Sequence, residues 1–192
     1  MIFSPIEKVL EDLRAGKPVL VTDDESRENE GDAIIAAEFA TPEWVAWMIR
    51  YTTGYICAPM TESRANELDL PVMWQNNEDP HQTNYTVSVD AANRESTGIS
   101  AKERSLTANV LADPESTPKS LIRPGHVLPL RAKPGGVLER AGHTEAAVEL
   151  LRLAGLQQVG LMAEMINDDG TMMRVPELFS MAERFDLSMT NI

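Results

Sequence analysis

The chain has 192 residues with 30 acidic and 17 basic side chains, a formal net charge of -13 and a single cysteine, Cys57. That charge repels nucleic acid and anionic lipid surfaces. One cysteine excludes an internal disulfide framework and fits a reducing, cytoplasmic compartment, and no apolar run is long enough to span a bilayer. The start, Met-Ile-Phe-Ser-Pro-Ile-Glu, lacks the basic and apolar regions of a secretory signal, and no Pro/Gly/Ser-rich linker interrupts the chain, so one soluble domain over residues 1–192 is expected. An anionic ligand would have to be held locally by a few arginines, against the global field.

Taken in order, Ser4-Pro5-Ile6-Glu7 has the layout of a capping box with proline at the first helical position. Ile6, Val9, Leu10 and Leu13 then recur at helical spacing up to Gly16. Residues 18–22 and 33–37 read as buried strands. Between them lie Asp23, Asp24 and Glu25, followed by Arg27-Glu28-Asn29-Glu30-Gly31-Asp32, which puts six carboxylates within ten residues. Acids so crowded repel unless positive charge sits among them, and a divalent cation is the strongest candidate. A solvated acidic hairpin is the alternative. Gly31 weighs against it, since glycine lets the backbone bend close to a ligand.

Thr41-Pro42-Glu43 starts a second helix with Trp44, Val45, Met48 and Ile49 on its core face, and residues 55–59 read as a short buried strand holding Cys57. Thr61 can cap a helix ending near Leu68. Residues 71–82 lack periodicity and read as a long loop with His81 at the surface. Residues 85–90 alternate like a half-buried strand, and Ser100-Ala-Lys-Glu103 is a capping box opening a helix to about Leu111. The turn Ser96-Thr97-Gly98 between them can bind a sugar hydroxyl or phosphate, or is simply a turn.

Arg123-Pro124-Gly125-His126 precedes a strand over residues 127–131. Arg140-Ala141-Gly142-His143-Thr144-Glu145 then leads into a helix that stops at Gly155, with His143 and Thr144 in its first turn. Free N–H groups and the positive dipole end there favour an anion, and Arg140 and Arg123 are close enough in sequence to add charge-assisted bonds; a polar helix start capped by threonine is the alternative. Residues 159–166 form an apolar strand except for Glu164, a carboxylate that needs a partner or a task. A turn at 167–170, an edge strand at 172–175, a helix at 176–185 and a last short strand at 187–192 complete the pattern. Strands alternating with helices indicate an α/β or α+β layered domain, which would gather these loops at one end of a sheet. Carboxylates, imidazoles and arginines together suit metal-assisted chemistry on a small phosphorylated compound.

Six stretches resemble, in the same order, the 3,4-dihydroxy-2-butanone 4-phosphate synthase family. They are Arg27-Glu-Asn-Glu-Gly-Asp32, Thr97-Gly-Ile-Ser100, Arg123-Pro-Gly-His126, Pro134-Gly-Gly-Val-Leu138, Arg140-Ala-Gly-His-Thr-Glu-Ala146 and Asn167-Asp-Asp-Gly-Thr171. The resemblance implies a riboflavin-pathway lyase that converts D-ribulose 5-phosphate into L-3,4-dihydroxy-2-butanone 4-phosphate and formate. It implies Mg²⁺ (or Mn²⁺), two ions per active site, a three-layer sandwich around a mixed twisted β-sheet, and a homodimer with its sites near the subunit interface.

By the same resemblance, Glu28 and His143 hold metal. Arg27, Glu28, Asp32, Thr97, Arg140, Ala141, Gly142, His143, Thr144 and Glu164 contact the sugar phosphate, and His126, Glu164 and Asp32 take part in catalysis. Met162-Ala163 stands where a cysteine is common, so that thiol is not needed here. Residues 51–54 depart from the family's usual version, which carries Cys57 over only weakly. Two-headed relatives continue into a GTP cyclohydrolase II domain that this sequence does not contain, so synthase activity alone is expected. A metal-dependent pentose-phosphate isomerase or epimerase, and a non-catalytic homologue acting as a binding subunit, are the competing readings.

Overall fold

A computed structural model describes residues 2–192; Met1 lies outside them. Six helices, α1 (Ile6–Arg14), α2 (Pro42–Tyr51), α3 (Glu62–Glu67), α4 (Ala101–Ala112), α5 (His143–Ala154) and α6 (Val175–Phe185), alternate with seven strands. The strands are β1 (Val19–Thr22), β2 (Gly31–Ala36), β3 (Cys57–Met60), β4 (Val89–Ala91), β5 (Leu121–Arg131), β6 (Gly160–Glu164) and β7 (Met189–Asn191). They form one mixed sheet in the order β4-β5-β3-β6-β2-β1-β7, parallel at β3/β5 and β1/β7 and antiparallel elsewhere.

The period-two alternation of strand side chains divides the core between the two faces of this sheet. Val19, Val21, Ile34 and Met162 point to one side, where Val9 and Leu13 of α1 and Ala147 and Leu151 of α5 cover them. Ile35, Ala58, Leu161 and Ala163 point to the other, against Val45 and Met48 of α2 and Ala108 and Leu111 of α4. Leu178 and Met181 of α6 close that side over Leu20 and Ala33. Each Leu or Val so buried contributes about 1.5–3 kcal/mol. The result is the three-layer α/β sandwich with a mixed sheet that the family resemblance implied.

Several local expectations change. Ser4 does not cap α1; Pro5 occupies that position, and the Ser4 hydroxyl accepts from the Met189 N–H, tying the chain start to β7. Ile49 is exposed rather than part of the α2 core face. In the expected strand at 85–90, Tyr85 and Thr86 form only isolated bridges, to Leu130 and Val72, and ladder pairing begins at Val89. Arg123 through His126 lie inside β5, where proline is tolerated because the ladder to β4 shifts register between Val89 and Asp90. The predicted edge strand at 172–175 is a single bridge from Met172 to Ile166, because α6 already starts at Val175.

Gly31 serves packing rather than a ligand. A Cβ there would lie 2.3 Å from Leu178 Cδ1, so its missing side chain makes room for α6.

Candidate active site

β2 and β6 pair Asp32 directly opposite Glu164. Both follow the alternation of Ile34 and Met162, so both carboxylates belong to the sheet face covered by α5. The first turn of α5 brings in His143 and Thr144, and the β1–β2 connection brings in Arg27, Glu28 and Glu30. These line one cleft together with Arg140, Cys57, Thr83 and Tyr85. Like charges facing each other across a ladder cost stability, so this pair is retained against the interest of the fold.

The cleft is built around His143, which is 4% exposed. Its Nε2 lies 3.2 Å from the Val21 carbonyl, an acceptor only, so Nε2 carries a hydrogen and Nδ1 faces the acids. Nδ1 is 3.6 Å from Glu28 Oε2 and 4.0 Å from Asp32 Oδ1. Burial opposes charge on this imidazole, but Asp32 and Glu28 outweigh it and raise the pKa to about 9. The contact to His143, reinforced by Arg27, holds Glu28 at about 2 despite its partial burial. Asp32, 2% exposed, is pushed up to about 7 by burial, aided by the charges of Glu164, Glu28 and Glu30 and only partly relieved by His143.

Asp32 Oδ1 is buried and has no hydrogen-bond partner among the described residues. A buried carboxylate oxygen without a donor is costly, and a hard cation between it, Glu28 and His143 Nδ1 would satisfy it. Asp23 also lies within ligand distance of Glu28 and His143. Its two oxygens are already engaged, however: Oδ1 by the Glu30 N–H at 2.9 Å, and Oδ2 by the Glu28 N–H at 3.0 Å and Arg27 Nη1 at 2.9 Å. Asp23, with three donors on its two oxygens, braces the loop; Glu28 Oε2 takes one bond, from Arg27 Nη1 at 2.6 Å, and Asp32 Oδ1 none, so the oxygens of Glu28 and Asp32 with His143 Nδ1 are the donors that fit a divalent ion.

Glu164 sits half-buried at the end of β6, and its Oε2 accepts from Thr53 Oγ1 at 2.6 Å. Three of the five N–H groups of Arg140 are used locally, on the His81 carbonyl (2.7 Å), Thr83 Oγ1 (2.8 Å) and Glu145 Oε2 (2.5 Å), which leaves one on each terminal nitrogen. It thus pins the 71–85 loop over the start of α5. That start has no side-chain cap, which leaves its first N–H groups available to an anion beside Arg140 and Thr144. Burial, with Glu164 nearby, raises the Cys57 thiol well above its ordinary pKa, so Cys57 is no nucleophile here.

The structure does not bring every sequence candidate together. Arg123 is committed to the carbonyls of Leu68, Pro118 and Leu121 and is no phosphate ligand of this cleft. Ala141 is exposed, and neither it nor Gly142 lines the cleft. His126 and Thr97 also lie outside it, by the sheet edge formed by β4 and β5. Conversely, Thr53, Thr83 and Tyr85 were not singled out from sequence. They come from irregular segments, and only the packing of those segments on the sheet reveals their place.

A family model for 3,4-dihydroxy-2-butanone 4-phosphate synthase matches residues 7–192. The riboflavin biosynthesis protein RibBA of Salinispora arenicola is 59% identical over 183 residues, covering 95% of this chain and 43% of that protein. The chain therefore spans less than half of that relative. The 3,4-dihydroxy-2-butanone 4-phosphate synthase of Candida albicans is 50% identical over 192 residues, covering 100% of this chain and 94% of that protein. A solved 3,4-dihydroxy-2-butanone 4-phosphate synthase in complex with two magnesium ions superposes with a TM-score of 0.96 at 45% identity, over 98% of this chain and 93% of its own.

Proposed function

The chain belongs to the 3,4-dihydroxy-2-butanone 4-phosphate synthase family, and from that premise we propose that it converts D-ribulose 5-phosphate into L-3,4-dihydroxy-2-butanone 4-phosphate and formate in the cytoplasm. The observation that carries this reading is the unpartnered Asp32 oxygen facing His143 Nδ1 and Glu28, beside an uncapped helix start and Arg140. It supports a divalent site next to a phosphate seat. Two Mg²⁺ or Mn²⁺ ions would be held by Glu28 and His143 with help from Asp32, and would supply positive charge against the negative charge developing on the substrate's oxygens.

The chain's own groups have the remaining tasks. The free N–H groups of α5, Thr144 and Arg140 orient the phosphate. Glu164, held by Thr53, lies across the ladder from Asp32, so two carboxylates face the same substrate atoms. Glu164, which the metal assignment leaves free, can take and return a proton opposite Asp32. Such a group suits removal of the proton next to the ketone, formation of an enediolate and the later proton shifts.

His126 and Thr97 lie outside the cleft of their own chain, while Tyr55 and Ile99 are 47% and 51% exposed. These features support a homodimer in which a second copy brings His126 and Thr97 to the cleft.

The deciding experiment adds D-ribulose 5-phosphate and Mg²⁺ and measures formate. Formate that appears, and stops with excess EDTA, is expected. A rearranged pentulose phosphate without formate would transfer the site to an isomerase or epimerase, and substrate binding without conversion would leave a binding subunit. Mixing His126→Gln chains with Glu164→Gln chains tests the shared site: random dimers should regain about a quarter of wild-type turnover, whereas a site built within one chain regains none.

A further inference from the structure

Asp90 is almost wholly buried at 1% exposure, yet among the described residues no lysine or arginine lies within hydrogen-bond distance of it. The nearest cation, Arg94 Nε, is 3.8 Å from Oδ2. Instead, both of its oxygens are used on a single residue. Oδ1 accepts from the backbone N–H of His126 at 2.9 Å, and Oδ2 lies 2.9 Å from His126 Nδ1. A carboxylate in that position is an acceptor, so the neutral imidazole must carry its hydrogen on Nδ1, and the lone pair is left on Nε2. The His126 side chain is 39% exposed, so the ring is gripped from the inside and open on the outside.

The same carboxylate abuts the turn at Ser96-Thr97-Gly98. Gly98 has φ +100°, and a Cβ there would lie 2.2 Å from Asp90 Oδ2, so only glycine lets the turn come so near. The turn is held from its other side by Glu103, 4% exposed. This residue leaves its expected reciprocal cap on Ser100 and accepts instead from the N–H groups of Ser96 and Gly98, the latter at 2.7 Å. Glu103, the turn and Asp90 form one continuous support, and its two outward products are Thr97 and His126.

We propose that Asp90 is a positioning residue that fixes His126 in the Nδ1–H tautomer, with Nε2 presented as the proton-exchanging atom, and that Glu103 holds Thr97 in register with it. The inference rests on the assignment of His126 to the reaction. It adds what makes that imidazole competent: a tautomer and a direction, set by a residue that touches neither substrate nor metal. An asparagine at this position has one acceptor oxygen where two are needed. The backbone N–H of His126 keeps the oxygen, the amide NH₂ turns to Nδ1, and the ring is driven to the opposite tautomer.

The test uses the full-length, Mg²⁺-loaded protein labelled with ¹⁵N-histidine, with His126→Gln identifying the His126 ring resonances. Wild-type His126 should show a protonated Nδ1 and an unprotonated Nε2. Asp90→Asn should show the reverse, with kcat reduced roughly a hundredfold to ten-thousandfold and KM within about threefold, the pattern of a general base in the wrong tautomer. A wild-type ring protonated on Nε2 overturns the proposal even if Asp90→Asn does not fold. So does a folded Asp90→Asn with wild-type kcat while His126→Gln is inactive, an outcome that leaves the role of His126 intact. Wild-type turnover in His126→Gln removes both the role and this inference.

Discussion

Asp32 and Asp90 are both aspartates with almost no exposed surface, 2% and 1%, on strands of the same sheet, yet their surroundings are opposite. Asp90 has a donor for each oxygen, and Glu103 beside it likewise receives the N–H groups of Ser96 and Gly98. Asp32 has an oxygen with no donor at all, faces Glu164 across a ladder, and shares its cleft with Glu28 and Glu30. Burial costs both acids their hydration, and only one is repaid within the chain. The difference teaches that an acid left short of donors marks a place kept for a ligand, whereas a saturated acid shapes the backbone. Asp23 makes the same point inside the acidic loop: it stands among the candidate ligands but is saturated, and its work is to hold Arg27 and the loop N–H groups.

The largest effect should come from the under-supplied side. Glu164→Gln keeps the shape of the side chain and its contact with Thr53 but cannot transfer a proton. Turnover should fall by at least about two orders of magnitude while folding and substrate binding persist. Formate release and thermal unfolding measured on one preparation separate this from a structural role, in which the melting temperature falls and turnover holds.

Arg140→Ala comes next. Arg140 is anchored by the His81 carbonyl, Thr83 and Glu145, so its loss removes charge beside the anion seat and frees the 71–85 loop. A loss of roughly 1.5–3 kcal/mol, mostly as a raised KM, is expected. An unchanged KM would move the phosphate elsewhere.

This contrast explains what could be read from the chain alone. α2, α4 and α5 were legible because cap residues and helical spacing are local signals, and Thr41 and Ser100 accept from the N–H groups of Trp44 and Glu103 as expected. Arg27, Glu28, Asp32, His143 and Glu164 were legible as candidates, because crowded carboxylates and an acid inside an apolar strand stand out in a sequence, and the structure brings all five to one cleft. Donor supply is not a local property. Composition and spacing do not distinguish Asp23 from Glu28, which the family resemblance alone singles out, and nothing at Arg123 tells that the carbonyls of Leu68, Pro118 and Leu121 consume it. Ser100-Ala-Lys-Glu103 had the letters of a capping box, but Glu103 was drawn to the turn packed against it, a tertiary choice no spacing rule contains.

Titration sharpens the comparison further. In the metal-free protein His143 is held charged up to about pH 9, above its ordinary value near 6.5, so the stability it contributes is complete below about 6.5 and is lost as pH rises through 9. Asp32, raised to about 7, acts in the same direction, since its burial is easiest while protonated. Metal-free protein should therefore melt at lower temperature at pH 9 than at pH 6.5. A metal must displace the His143 proton, so Mg²⁺ affinity should rise up to about tenfold per pH unit between 7 and 8.5, with proton release visible by calorimetry in buffers of different ionisation heat. Binding without proton uptake or release would mean that His143 is not a ligand.

The smallest expected effect is the one that most directly separates donor supply from mere numbers of acids. Glu25 belongs to the same run of six carboxylates but is exposed at the tip of the loop, next to Asp24, whose Oδ1 is taken by Ser26. If the site worked as a crowd of negative charge, removing any member would weaken it comparably. If it works through the Asp32 and Glu28 oxygens that converge on His143 Nδ1, Glu25→Gln removes only a solvated charge whose field is screened within about 10 Å at 0.1 M salt. Mg²⁺ affinity should then change less than about threefold at low salt and not measurably at 0.5 M, while Glu28→Gln in the same assay loses binding at both. A tenfold loss in Glu25→Gln that survives high salt would show that the count of acids, and not their supply of donors, decides where a cation binds.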